Sequence, residues 1–149
     1  ANEAYRRSYE ITSLSKPIKA LGLTCPVSCL HEMAKSQDEM TREWMQVLYG
    51  GEPEQSSLWN SSDYADILTD CKELPSIYIL TTKGDQKYYR QSLALHDLMN
   101  RKQIEHVYRE WESMENKDLG HVFNVLYPAC QDSRAANQEM VYFFLNVRR

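Results

Sequence analysis

The sequence contains few of the residues that mark special folds or partners. Its 149 residues include five glycines, five prolines and four cysteines, and 17 basic residues are outnumbered by 21 acidic ones. A net charge of −4 disfavours a general nucleic-acid binder, whose surface is basic. No apolar run approaches the roughly 20 residues that cross a bilayer, and no secretory leader begins the chain. The composition, 42% hydrophobic and 26% charged, therefore predicts one soluble globular domain.

The cysteines Cys25, Cys29, Cys71 and Cys130 do not form a recognisable metal-binding motif. No Cys-x-x-Cys pair occurs, and no histidine lies close enough in sequence to complete a zinc pattern. A chain of this length can bury a core without disulfides, so we expect buried thiols. The cellular compartment stays open, with the cytoplasm favoured.

Three apolar segments have the character of strands. Ile18–Cys25 is almost uniformly apolar and is bounded by Pro17 and Pro26, which is typical of a strand covered on both faces. Ser76–Thr82 is the second such segment. Ile104–Trp111 is the third, and its alternation of polar and apolar residues predicts one wet face.

Helical periodicity lies between and around these strands. It predicts helices over Ala1–Ser15, Leu30–Tyr49, Asp63–Cys71, Tyr88–Lys102 and Ser133–Val147. Apolar positions are expected at Met33, Met40, Trp44, Met45 and Leu48 in the second helix and at Ala136, Met140, Phe143 and Phe144 in the last. The alternation of strands and helices predicts an α/β fold, a partial three-layer sandwich with about three parallel strands and helices on both faces.

Two polar residues follow consecutive strands of this predicted sheet. Asp85 comes after Ser76–Thr82, and His121 lies in the Met114–Pro128 loop after Ile104–Trp111. Loops at the carboxyl ends of parallel strands converge, so a carboxylate there can bond an imidazole and fix its tautomer. An aspartate after a glycine is also a common turn or capping residue, and a Gly-His loop is also consistent with a simple turn.

The segment from Pro75 to Phe144 resembles the C-terminal part of an α/β-hydrolase of the esterase/lipase and prolyl-oligopeptidase-like branch. The motifs are Thr82-Lys83-Gly84-Asp85 after a strand, Gly120-His121-x-Phe123 after the next strand, and Ser133-Arg134-x-x-Asn137-x-Glu139-Met140 on the last helix. Ile18–Val27 resembles the strand that follows the nucleophile helix, and residues 30–71 resemble the helical cap insertion. The resemblance thus covers 1–149 as one C-terminal portion, and it implies a catalytic pair of Asp85 as triad acid and His121 as general base.

The sequence departs from this family at the nucleophile. The family serine lies in a Gly-x-Ser-x-Gly turn, and no two of the five glycines here are four residues apart. Ala1–Arg7 resembles the helix that starts after that turn, so the serine is expected a few residues before Ala1. The chain alone is therefore expected to lack esterase activity. The intact enzyme would act on a carboxylic ester and would need no metal or organic cofactor.

Other candidate groups are weaker. Ser28, Ser56, Ser57 and Ser92 lack the glycine-flanked turn of a nucleophile, and Cys25 is expected to be a packed thiol although it would lie near His121. His31, His96 and His106 fall on regular elements and are expected to be structural. The group formed by Met33, Met40, Trp44 and Met45 is expected to be core or cap packing, and in a cap it would line an apolar acyl pocket.

If the strand order follows the resemblance, Ile18–Cys25 would pair with the strand that leads into the nucleophile turn, and this sequence lacks that strand. Without its neighbour, Ile18–Cys25 would be an exposed edge, so we expect self-association through this strand or dependence on a partner that carries the N-terminal half.

Two other functions are alternatives to the hydrolase. One is a non-catalytic α/β interaction or oligomerisation module. Another is a flavodoxin-like ligand-binding domain, but no glycine-rich phosphate loop follows any strand.

Overall fold

The computed structural model describes residues 16–64, 67–68 and 74–147. The chain divides into two compact units, one made of Ala1–Pro26 with Glu73–Arg149 and the other of Val27–Lys72. The predicted helix Ala1–Ser15 lies outside the described residues, as do Cys71 and much of the helix predicted to end there.

The first unit is organised on a parallel sheet. Strands β1 (Ala20–Thr24), β2 (Ser76–Thr81) and β3 (His106–Glu110) pair in the order β1-β2-β3, and both pairings are parallel. The register aligns the carboxyl ends of the strands, because Thr24 pairs with Leu80 and Thr81 pairs with Glu110. The predicted α/β class with about three parallel strands is confirmed, and each strand lies inside its predicted segment.

Strand β2 forms the centre of the core because it alone has a strand on each side within the described residues. Every residue from Ile77 to Thr81 is buried. Side chains alternate across a strand, so Tyr78 and Leu80 share one face. They pack with Trp111, Leu119, Phe123 and Ala136.

The outer strands are more exposed than the central one. Strand β1 has its predicted position, but Leu21 is exposed and the strand is an edge among the described residues, so it is not covered throughout as expected. Strand β3 has one face that is more exposed than the other, but it is not the polar face that the alternation predicts, because Val107 and Arg109 are exposed whereas His106, Tyr108 and Glu110 are only partly so.

In the second unit, the described residues form helices α1 (Leu30–Ala34) and α2 (Glu39–Tyr49). In the first unit they form α3 (Tyr89–Arg101), α4 (Phe123–Leu126) and α5 (Gln131–Asn146). Helices α3 and α5 both contact β2. None of the described helices has the length and apolarity that a membrane span requires.

The prediction of one helix over Leu30–Tyr49 is wrong, since the segment forms two helices. Lys35 ends α1, and Asp38 caps α2 by accepting a hydrogen bond from the backbone N–H of Thr41 at 3.0 Å. An aspartate in this position favours a new helix start over continuation. Gly50 ends α2 in the left-handed conformation that glycine adopts without strain.

The buried stripe of α2 differs from the predicted one. Thr41, Met45 and Tyr49 are buried, whereas Met40, Trp44 and Leu48 are exposed. The apolar residues of this helix occupy two neighbouring stripes, and only one of them can face the unit's interior. On α5, Ala136 is buried as expected and Met140 and Phe143 pack against the core, while Phe144 is 41% exposed.

The predicted Met114–Pro128 loop contains α4, a four-residue helix too short for periodicity to reveal. Between the predicted helices Leu30–Tyr49 and Asp63–Cys71, the chain forms two 3₁₀ turns, Pro53–Gln55 and Trp59–Ser61.

Asp132 fixes the start of the loop that follows β3. Its carboxylate, in a residue only 1% exposed, accepts hydrogen bonds from Trp111 Nε1 at 2.9 Å, Ser113 Oγ at 3.0 Å and the Met114 N–H at 2.9 Å. Burial by itself would raise the pKa of Asp132, but these three donors together with the Lys117 charge outweigh it and the pKa is lowered. The ionised carboxylate therefore stabilises the fold.

We expect acid to remove this stabilisation. A carboxyl group whose pKa is lower in the folded state contributes stability above its unfolded pKa of about 3.9, and the contribution is lost as the pH falls through the folded value. Asp132→Asn should lower the free energy of unfolding at pH 7 by about 1–3 kcal/mol and should flatten its decline below about pH 4. Urea denaturation between pH 7 and pH 3 measures both quantities. Ser113→Ala, which removes one donor, should have a smaller effect, and equal acid slopes for wild type and Asp132→Asn would contradict the assignment.

Candidate active site

Asp85 lies in the turn between β2 and α3 and is almost fully buried. One carboxylate oxygen, Oδ1, accepts a hydrogen bond from the backbone N–H of Tyr88 at 3.1 Å. The other, Oδ2, lies 2.7 Å from Nδ1 of His121. Asp85 thus has the turn-forming role that its position after Gly84 suggested. It also forms a hydrogen bond with His121, the histidine that the sequence analysis paired with it.

His121 lies in the loop after β3, and the structure brings it to Asp85 although 36 residues separate them. Its side chain is 37% exposed, while that of Asp85 is fully buried. A carboxylate at Nδ1 fixes the tautomer with the proton on that nitrogen. Nε2 then carries a lone pair, and no residue that the structure describes forms a hydrogen bond with it. The Tyr88 ring packs beside the imidazole, with 4.7 Å between ring centroids.

Gly84 allows the His121 loop to approach the Asp85 turn. A Cβ atom on Gly84 would overlap the Leu119 carbonyl oxygen and would lie 2.5 Å from Asp118 Oδ1. Any side chain here would therefore push the two loops apart. The sequence showed this glycine only as part of the Thr-Lys-Gly-Asp motif, because its contact is with a distant loop.

Cys25 is a third member of the cluster, placed at the carboxyl end of β1. Its sulfur, a carboxylate oxygen of Asp85 and a ring nitrogen of His121 all lie within 4.8 Å of one another. Cys25 is 1% exposed, and burial raises the pKa of its thiol to about 11, with the Asp85 charge adding to the effect. A thiol with this pKa stays protonated near neutral pH, so it is unsuited to act as a nucleophile.

The backbone is strained on both sides of this cluster. Cys25 has φ of 44° and Val122, the residue after His121, has φ of 46°. The left-handed region is costly for a β-branched residue such as valine. Strained residues of this kind are found most often at functional sites.

The other sequence candidates lie elsewhere or are engaged in structural contacts. Ser92 is buried in α3, near the Pro26 carbonyl at 3.5 Å. His31 stacks on Trp59 and lies 3.3 Å from Asp63. Ser28 is buried, while Ser56 and Ser57 lie in the loop that contains the 3₁₀ turns.

His96 and His106 form a pair between α3 and β3, with 2.7 Å between His96 Nδ1 and His106 Nε2. Since His106 Nδ1 lies 2.8 Å from the Ile104 carbonyl, it donates its proton there, and both rings are satisfied when neutral. This agrees with the expectation that these two histidines are structural.

Comparison with known proteins rests on structure. No family model and no curated protein matches the sequence. The crystal structure of esterase B from Lactobacillus rhamnosis (HN001) matches with a TM-score of 0.82 and 20% identity, over 99% of this chain and 46% of that one. A structure of that esterase inhibited by a tributyrin phosphonate (C4-C4, SN3) gives a TM-score of 0.82 with 21% identity, and a C6-C4 SN3 inhibited form gives 0.83 with 21%.

The chain has the α/β-hydrolase fold of these esterases. It spans somewhat less than half of their length. The predicted fold is thereby confirmed, and so is the prediction that the chain corresponds to only a part of it. Because the sequence identities are near 20%, this likeness shows the fold alone.

We expect Gly84→Ala to separate the candidate pair. The added methyl group meets a backbone carbonyl, which cannot rotate away, so the variant should lose about 1–3 kcal/mol of unfolding free energy. It should also lose the strongly downfield proton NMR signal of the hydrogen-bonded His121 Nδ1–H. Gly120→Ala is a matched control, because its Cβ would meet nothing within 4 Å. Retention of that signal in Gly84→Ala would contradict the proposed role of the glycine.

Proposed function

We propose that this chain is the acid–base portion of a serine esterase of the α/β-hydrolase fold. The observation that carries the proposal is the 2.7 Å hydrogen bond between the buried Asp85 carboxylate and the half-exposed His121 imidazole at the carboxyl edge of the sheet. In this orientation His121 offers Nε2 as a base, while Asp85 holds the ring and stabilises the imidazolium that forms.

The proposed chemistry is acyl transfer in two steps. Nε2 of His121 takes the proton of a serine hydroxyl as its oxygen attacks the ester carbonyl, and the imidazolium then gives that proton to the departing alcohol. A water molecule attacks the acyl-enzyme with the same base, releasing the carboxylic acid and restoring the serine. Asp85 stays ionised throughout, since its role is electrostatic and orienting.

The serine is proposed to come from a segment outside these 149 residues. The sequence has no Gly-x-Ser-x-Gly turn, and the oxyanion donors of this fold lie at that turn and in an earlier loop. Coverage of 46% of the esterase B chain supports an additional segment of comparable size. Strand β1, an edge among the described residues, is where a further strand would pair.

The second unit, Val27–Lys72, is proposed to be a cap-like insertion. It interrupts the sheet-forming unit between β1 and β2, as an insertion into that unit would. For the substrate, the tributyrin phosphonate bound by the neighbouring esterase suggests a four-carbon acyl ester as the first to test.

The test extends the chain with the coding sequence found upstream of Ala1. We expect a Gly-x-Ser-x-Gly within roughly ten residues of Ala1 and hydrolysis of p-nitrophenyl butyrate by the extended chain, with no turnover by the 149-residue chain alone. In the extended chain, His121→Ala should abolish activity and Asp85→Asn should lower kcat by about 10⁴-fold through the wrong tautomer. His106→Gln is the control histidine and should keep activity.

Three results would count against the proposal. They are an upstream sequence without a nucleophile turn, turnover by the extended chain that survives His121→Ala, and turnover by the 149-residue chain alone. The first of these would favour the alternative function, a non-catalytic α/β interaction module, which is supported by the β1 edge that pairs with no further strand among the described residues.

We further propose that the isolated chain associates through β1. An unpaired strand edge offers N–H and C=O groups to another chain, and Leu21 adds an exposed apolar side chain. Analytical ultracentrifugation should therefore show dimers or larger species, and Leu21→Lys should shift them towards monomer. Val47→Lys, at an 83% exposed residue of α2, is the control. A stable monomer at high concentration, or an equal shift by both variants, would argue against association at this edge.

A further inference from the structure

The cluster at the carboxyl edge of the sheet contains one more donor than acid–base chemistry needs. Asp85 and His121 are sufficient to orient and charge an imidazole, and the Cys25 thiol is too basic to serve as the nucleophile. Yet its sulfur lies within 4.8 Å of the ligating atoms of both other residues. Cysteine, histidine and aspartate together are the donor types that bind zinc in proteins.

We propose that Cys25, Asp85 and His121 form a binding site for a thiophilic divalent cation, Zn²⁺ or Cd²⁺, and that its occupation blocks His121 as a base. The site is built by the three loops that follow β1, β2 and β3. Its inhibitory consequence rests on the proposed esterase function, whereas binding itself does not.

The geometry needs only a small adjustment to accept the ion. Zinc bonds to nitrogen, oxygen and sulfur of about 2.0–2.3 Å place tetrahedral donors roughly 3.3–3.8 Å apart. The present donors lie within 4.8 Å of one another, with 2.7 Å between His121 Nδ1 and Asp85 Oδ2. The 2.7 Å pair has to open by about 0.6–1.1 Å, and a pair at the 4.8 Å limit has to close by about 1 Å, to reach these separations. The 37% exposed side chain of His121 leaves room for the first movement.

Charge also favours a divalent ion here. One thiolate and one carboxylate neutralise two positive charges, so the loaded site carries no net charge in a buried position. A monovalent cation would leave an excess negative charge. Mg²⁺ and Ca²⁺ prefer oxygen donors and higher coordination numbers, so they should bind poorly.

The chemistry of inhibition follows from the two nitrogens of His121. When the cation binds, Cys25 releases its thiol proton to solvent and a metal–sulfur bond forms. The ion takes the lone pair at Nδ1, so the ring's single proton moves to Nε2 through solvent. Nε2 then donates a hydrogen bond and can no longer accept the serine proton, which is the opposite of the tautomer that a general base requires.

The test uses the 149-residue chain and Cd²⁺ alone as the probe. Binding should produce the ultraviolet charge-transfer absorption of a cadmium–thiolate bond, with one ion per chain and with Zn²⁺, but not Mg²⁺, as a competitor. Cys25→Ser should abolish the absorption, and His121→Gln should weaken the affinity at least about ten-fold. Cys130→Ser is the control, since it removes a thiol but keeps a hydroxyl that can cap α5.

Circular dichroism of each variant verifies folding, and His121→Gln keeps the proposal testable if Cys25→Ser fails to fold. Absence of the absorption in the wild type, or its persistence in a folded Cys25→Ser variant, would overturn the site. Equal affinity in wild type and His121→Gln would do the same. None of these measurements depends on turnover, so the metal site and the esterase function can fail separately.

Discussion

The parallel register of β2 with its two neighbours is the constraint on which the candidate site depends. The Cys25 N–H bonds the Leu80 carbonyl and the Trp111 N–H bonds the Thr81 carbonyl, both at 2.7 Å, so all three strands end at one level. The loops that follow must then share a small volume. Asp85 lies in a tight turn soon after β2, so its position needs little support. His121 lies ten residues after Trp111, so the loop that carries it has to be held in place. Asp132 holds the beginning of that loop and the Gly84–Leu119 approach holds its end.

Much of this arrangement could be predicted because it follows from local patterns. Apolar or alternating segments predicted all three strands, with prolines on both sides of the first only. The rule that loops converge at the carboxyl edge was enough to pair Asp85 with His121. The break between α1 and α2 had a visible signal in Asp38, which is a preferred capping residue, but the apolar spacing on either side concealed it.

The features that sequence reasoning missed depend on distant contacts. The buried stripe of α2 was misplaced because the two apolar stripes of the helix look alike until one is covered. The need for glycine at position 84 comes from Leu119, 35 residues away, and the strained φ of Val122 comes from the turn that delivers His121. The sequence places Cys25 near His121, but only the structure shows that its sulfur also lies close to the Asp85 carboxylate.

A capping role alone does not account for Asp85. The Tyr88 N–H satisfies one carboxylate oxygen, and an ordinary capping residue would leave the other in water. Here that second oxygen is buried, so without His121 it would be an anion lacking its strongest partner. The fold therefore needs the histidine for the carboxylate as much as the proposed reaction needs the carboxylate for the histidine. Since both requirements are met within one unit, the pair remains assembled in a chain that carries no recognisable nucleophile turn.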